Sequence, residues 1–266
     1  MSRIIAVTNQ KGGVGKTTTV LNVGAVAAEF GRRTLLVDLD PQAALTASLG
    51  LEPYRLEKSI YHLLLAKELD PEKVLIHNVR PRLDLLPANT DLVRSDVELA
   101  QQIGREFLLQ ESLFPLKPEY DLILVDTGPN LGVLTMNALT AADEVLIPFT
   151  CEYLALRGMG MLVDVMRQVK KQSNPRLKIL GVLVNMFDFK SLHGREVYDE
   201  AKSIFGKYVF EPPIPKSIRF SEAAAAQRPL SEYDPNHPAV AIYQTLVMQM
   251  LGTAEKKSDV RKAKAQ

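Results

Sequence analysis

From position 11 the chain reads Lys11-Gly12-Gly13-Val14-Gly15-Lys16-Thr17-Thr18. A glycine-rich turn at the start of a helix exposes backbone N–H groups that cradle an anion, and a following Lys-Thr pair adds an ammonium and a hydroxyl. The chemistry is phosphate binding. Lys16 is expected to meet the β- and γ-phosphates of a nucleotide and Thr17 to place its hydroxyl on Mg²⁺, with Gly12, Gly13, Val14, Gly15 and Thr18 completing the cradle. The pattern G-x-x-x-x-G-K-[ST] is met at Gly15-Lys16-Thr17 but fails at its first glycine, where Gln10 stands. Lys11 instead supplies a second cation near the phosphates. A lysine at the loop entrance can reach out of its own site, which points to a nucleotide switch coupled to dimerisation.

Two carboxylates fall where nucleotide hydrolysis needs them. Thr34-Leu35-Leu36-Val37-Asp38-Leu39-Asp40 and Leu122-Ile123-Leu124-Val125-Asp126 are apolar runs ending in acid. Ligands of open parallel sheets bind at the carboxyl ends of strands, so both acidic ends are expected to face the loop. Asp126 is the candidate for holding Mg²⁺ through a water, and Asp40 for orienting the attacking water close to the same metal. Acidic residues at strand ends also cap turns, which is the bland reading of either one taken alone.

The elements that must position these groups are legible as alternating strands and helices. Residues 3–8 form a short apolar run suited to a buried strand, and Val20, Val23, Ala27 and Phe30 recur at helical spacing before a stop at Gly31. The expected class is α/β: a mainly parallel twisted sheet with helices on both faces, in the phosphate-loop NTPase arrangement. Residues 1–251 are read as one domain and 252–266 as a basic, disordered tail. The stretch 51–89 is the least regular and is expected to elaborate the sheet.

In these segments the chain resembles the ParA/Soj family of partition ATPases, within the ParA/MinD class that carries a deviant phosphate loop. The resemblance runs from about Ile4 to Leu251. It rests on residues 11–19, on Leu36-Val37-Asp38-Leu39-Asp40-Pro41-Gln42, on Asp126-Thr127-Gly128-Pro129-Asn130-Leu131-Gly132, and on later segments including Cys151-Glu152-Tyr153 and Ile214-Pro215 with Arg219. It implies that Lys11 contacts nucleotide across an ATP-sandwiched homodimer and that Asp40 is required for hydrolysis. It also implies cofactors ATP/ADP and Mg²⁺, non-specific double-stranded DNA and a ParB-like activator as partners, and a cytoplasmic, nucleoid-associated location. Gly128 departs from the pattern, because many relatives carry a proline there, and a glycine would loosen the backbone of the switch that follows. The segments 188–191 and 223–228 depart as well, in the region relatives use for DNA.

The resemblance also places base- and DNA-side residues. Asn185, at the end of the run 179–184, stands where related ATPases read adenine, and its amide offers a donor and an acceptor; a turn-forming Asn at a strand end is the alternative. Pro215 and Ser217 resemble a second adenine-side segment. Arg219 matches an arginine used for DNA phosphate, against a structural ion pair as the plain reading, and Lys216, Arg195 and Lys190 follow it.

Composition bounds the remainder. The 266 residues are 46% hydrophobic and 24% charged with net charge +1, so any DNA contact is local rather than a property of a polycation. The segment from Glu255 to Gln266 carries five basic and two acidic residues and no apolar face, unlike the amphipathic membrane helix that ends MinD proteins. It reads as a solubilising tail or an auxiliary DNA contact, and no membrane partner is expected. The single cysteine, Cys151, forms no internal disulfide and is read as structural. Two other readings stay in view: the same ATPase positioning another cargo on the nucleoid, or a MinD-like regulator cycling on a membrane.

Overall fold

A computed structural model describes residues 2–66, 68–152 and 155–252, with the side chains of 155–159 left aside. The basic tail expected beyond Gly252 lies outside the described residues. The strands are β1 (Arg3–Val7), β2 (Thr34–Leu39), β3 (Ile76–Arg80), β4 (Leu83–Leu86), β5 (Leu122–Thr127), β6 (Glu144–Thr150), β7 (Lys178–Asn185) and β8 (Val209–Phe210). The helices are α1 (Lys16–Glu29), α2 (Ala44–Ser48), α3 (Ile60–Leu65), α4 (Ser95–Glu98), α5 (Leu108–Leu113), α6 (Val133–Ala141), α7 (Ala155–Gln172), α8 (Leu192–Phe205), α9 (Arg219–Ala225), α10 (Leu230–Tyr233) and α11 (Pro238–Met250).

One eight-stranded sheet has the order β3-β4-β2-β5-β1-β6-β7-β8, parallel except where β3 pairs antiparallel with β4. The expected α/β class and its mainly parallel sheet are as read. The irregular stretch 51–89 adds β3 and β4 to one edge of the sheet, with α3 beside them.

Strand alternation divides the core into two faces, because successive side chains of a strand point to opposite sides. Ile4 and Ala6 join Leu35, Val37 and Ile123 beneath α3, α5, α6 and α7. Ile5 and Val7 join Leu36, Leu122 and Leu124 beneath α1 and α11. Burial on both faces explains why β2 and β5 read as unbroken apolar runs. Helix α1 lies close against the sheet, since a Cβ on Gly24 would come 2.5 Å from Leu36 Cδ2. Parallel register puts the carboxyl ends of β1, β2, β5, β6 and β7 along one edge. Among the described residues no helix is long and apolar enough to cross a membrane.

Candidate nucleotide site

The loop between β1 and α1 owes its path to glycines. Gly13 and Gly15 have φ of +73° and +82°, the left-handed region that a side chain disfavours. Helix α1 opens at Lys16, directly after Gly15, so its free N–H groups face the cradle. Side chains from neighbouring strands hold the loop. Asn9 donates from Nδ2 to Pro148 O of β6 at 2.7 Å and accepts the Lys11 N–H at 3.0 Å. Asn185, ending β7, donates from Nδ2 to Val14 O at 2.9 Å and to Thr19 Oγ1 at 3.1 Å.

Lys16, Thr17, Asp40 and Asp126 converge at this edge. The Lys16 ammonium donates to Lys11 O at 3.2 Å. Burial lowers its pKa, while Asp126 and Asp40 work the other way. Asp126 is fully buried, and neither carboxylate oxygen has a hydrogen-bond partner among the described residues. Burial holds its pKa well above the carboxylate range, Asp38 adds to the rise, and the Thr17 side chain opposes it. A buried carboxylate with open lone pairs beside a threonine hydroxyl fits Mg²⁺, which takes few protein ligands and fills its shell with water and phosphate oxygens. Asp126 and Thr17 would hold the ion, which would draw charge from the phosphates.

Asp40 lines a 380 Å³ pocket, together with Gln42, Gly128, Asn130 and Thr135 among others. Its Oδ1 accepts the Gln42 N–H at 3.0 Å. Gly128 does not adopt a positive φ, so no left-handed turn requires a glycine there. A Cβ there would sit 3.2 Å from Asp40 Oδ1, so the glycine makes room for that carboxylate.

Asp38 was passed over in the sequence, although it shares a run with Asp40. It pairs in register with Asp126 and is fully buried. Its Oδ2 accepts from Thr46 N at 2.8 Å and Thr46 Oγ1 at 2.6 Å, and its Oδ1 from Asp40 N at 3.3 Å. Burial outweighs these bonds and lifts its pKa to about 6. Asp38 thereby anchors the turn that carries Asp40. The signal was a strand position opposite Asp126, which becomes visible only once strand pairing is known.

Beside the cradle, a 310 Å³ pocket is lined by Gly15, Thr18, Asn185, Lys216, Ser217 and Tyr243, among others. Its shape suits a flat heterocycle next to the phosphates. The Asn185 amide nitrogen is taken up by Val14 O of the loop and Thr19 Oγ1 of α1, so the donor expected from it is not free. Val14 O can only accept, which fixes which end of the amide is the nitrogen, and the buried Oδ1 has no partner among the described residues. Asn185 therefore offers an acceptor alone. Pro215 stands behind the pocket, in a parallel bridge to Phe187 that carries Lys216 and Ser217 to the rim.

The expected DNA residues differ in what they touch. Lys216 lines the base-side pocket. Arg219 donates to Glu222 Oε2 at 2.8 Å and lies 3.6 Å from Asp234, the ion pair that was its plain reading. Arg195 donates from Nε to Phe189 O at 3.0 Å. Lys190 is exposed on the turn before α8. Cys151 is half-buried, and burial pushes its thiol up to about 11, as befits a packing residue.

A family model described as an AAA domain matches residues 2–179. The chain is 42% identical to the sporulation initiation inhibitor protein Soj of Bacillus subtilis, over 94% of this chain and 98% of that protein. It is 42% identical to the chromosome partitioning protein ParA of Myxococcus xanthus, over 98% of this chain and 92% of that one. A solved structure of a cobyrinic acid a,c-diamide synthase from Mycobacterium smegmatis, with bound ATP analogue and magnesium, is 42% identical. It matches with a TM-score of 0.77 over 86% of this chain and 92% of that chain.

Proposed function

We propose that this chain, which belongs to the Soj/ParA family of AAA-type phosphate-loop ATPases and works on ATP with Mg²⁺, is a DNA-partitioning switch. ATP and Mg²⁺ bind the loop, two copies close face to face, and the closed dimer binds double-stranded DNA without sequence preference. Hydrolysis, slow alone and accelerated by a ParB-like partner, reopens the dimer.

The observation that carries this reading is the division of labour between the two lysines. Lys16 is buried inside its own cradle, whereas the Lys11 side chain lies outside it at the surface and pairs with Glu152. A cation at the mouth of a phosphate site, turned away from its own loop, is free to serve a nucleotide held by a second copy. Two copies brought together would also double the phosphate contacts of the Lys190, Arg195 and Arg219 surface. DNA affinity would then depend steeply on both dimerisation and salt. The ion pairs of Arg219 make Lys190 the readier cation.

The names of the relatives differ: two point to sporulation control and chromosome partitioning, one to an amide-forming synthase. An amide synthase also needs a nitrogen donor, often released by a thiolate, and the raised Cys151 thiol is the opposite of an activated one. The partition reading is tested by ATP-dependent retention on DNA, with dimerisation followed in parallel, for wild type, Lys11→Ala and Lys190→Glu. Lys11→Ala should lose both properties. Lys190→Glu should dimerise normally and hold DNA with a shallower salt dependence. Equal DNA binding with and without ATP in the wild type would refute the switch.

A further inference from the structure

Lys11 and Glu152 close an ion pair across the mouth of the cradle, between the loop after β1 and the end of β6. Both backbones are fixed. Asn9 ties the loop to Pro148 O at 2.7 Å and receives the Lys11 N–H, while Glu152 N donates to Thr150 O at 2.8 Å. The side chains are the adjustable part, 36% exposed at Lys11 and 65% at Glu152. A carboxylate standing beside a phosphate site repels a polyphosphate unless a cation neutralises it, and here Lys11 is that cation.

We propose that Glu152 is a positioning residue for Lys11, keeping its ammonium on its own subunit until a second ATP-loaded copy offers phosphate oxygens in exchange. This rests on the ATP-closed dimer proposed above. In a two-fold arrangement the exchange is mutual. Each departing Lys11 uncovers a Glu152, and the incoming lysine of the other copy arrives beside it. The pair thus opposes closure, and that opposition is overcome only when both copies carry ATP. An exposed ion pair is weak enough to be exchanged and strong enough to set a threshold.

The test compares the protein concentration at half-dimerisation in Mg²⁺-ATP for wild type, Glu152→Gln and Glu200→Gln. Glu200 is an exposed carboxylate on α8, so its variant controls for the loss of one negative charge. Removing two such ties per dimer should lower the midpoint by roughly 3- to 30-fold in Glu152→Gln, and Glu200→Gln should match the wild type. An unchanged or higher midpoint in Glu152→Gln overturns the proposal, as does an equal gain in Glu200→Gln. A wild type that stays monomeric in ATP would instead sink the dimer itself. Both substitutions are on exposed side chains, so folding is not at stake.

Discussion

Asp38 and Asp126 lie side by side on β2 and β5, in register and both fully buried, so two carboxyl groups share one dry site at the edge of the phosphate cradle. Burial is the larger cause of the raised pKa of both groups; the Asp38 charge adds to the rise at Asp126, and the Asp40 charge adds to it at Asp38.

That pairing gives the nucleotide-free protein a signed pH dependence. An acid whose pKa is higher folded than unfolded binds more protons when folded, so stability falls as pH rises between the two values. For Asp38 the interval runs from 3.8 to about 6, and for Asp126 it extends upward from 3.8 as well. Asp126→Asn removes one charge without changing shape. It should raise Tm at pH 8 by roughly 2–6 °C, an effect of about 1–2 kcal/mol, with the gain shrinking at pH 5. Thermal melts of both proteins check this, and a variant no more stable than wild type at pH 8 contradicts it. The same variant should lose Mg²⁺-dependent turnover.

Gly128 supplies a finer probe of Asp40. An alanine there would press its Cβ to 3.2 Å from Asp40 Oδ1, displacing the carboxylate by a few tenths of an ångström. Gly128→Ala should reduce turnover by about 10-fold and Asp40→Ala by about 100-fold or more. Both should leave ATP affinity within about threefold of wild type. Titration calorimetry together with phosphate release separates the two quantities. Comparable losses in binding and in turnover would mean that Asp40 serves the ground state.

Asn185 lines the base-side pocket, and the one polar atom of its amide left unpaired among the described residues is the buried Oδ1, an acceptor that would suit the amino group of adenine and oppose the carbonyl of guanine. Wild type should prefer ATP over GTP by about 10- to 100-fold. In Asn185→Ala that ratio should fall to within about threefold, while both affinities weaken because the tie to Val14 is gone. Competition binding with the two nucleotides reads the ratio directly. An undiminished preference would assign base selection elsewhere.

Much of this site can be read from the sequence because its signals are local. The turn before Lys16 announces itself by glycines, and Asp40 and Asp126 end apolar runs that can only be buried strands. Asp38 escaped because its significance lies in a partner 88 positions away, which no local pattern reveals. Gly128 was read through backbone freedom; the space it leaves beside Asp40 is a packing relationship that no local pattern shows. Arg219 matched a motif, but its neighbours Glu222 and Asp234 are brought to it by α9 and the end of α10. The antiparallel β3 was hidden because that edge strand is short, half-exposed and irregular in register.

The two asparagines that pin the loop, Asn9 to β6 and Asn185 to β7, have a thermodynamic consequence. A mould already set before its ligand arrives surrenders little chain entropy on binding. Nucleotide uptake by a single copy should therefore be fast and show only a small heat-capacity change. Any slow phase or large heat-capacity signal then belongs to a later event between molecules.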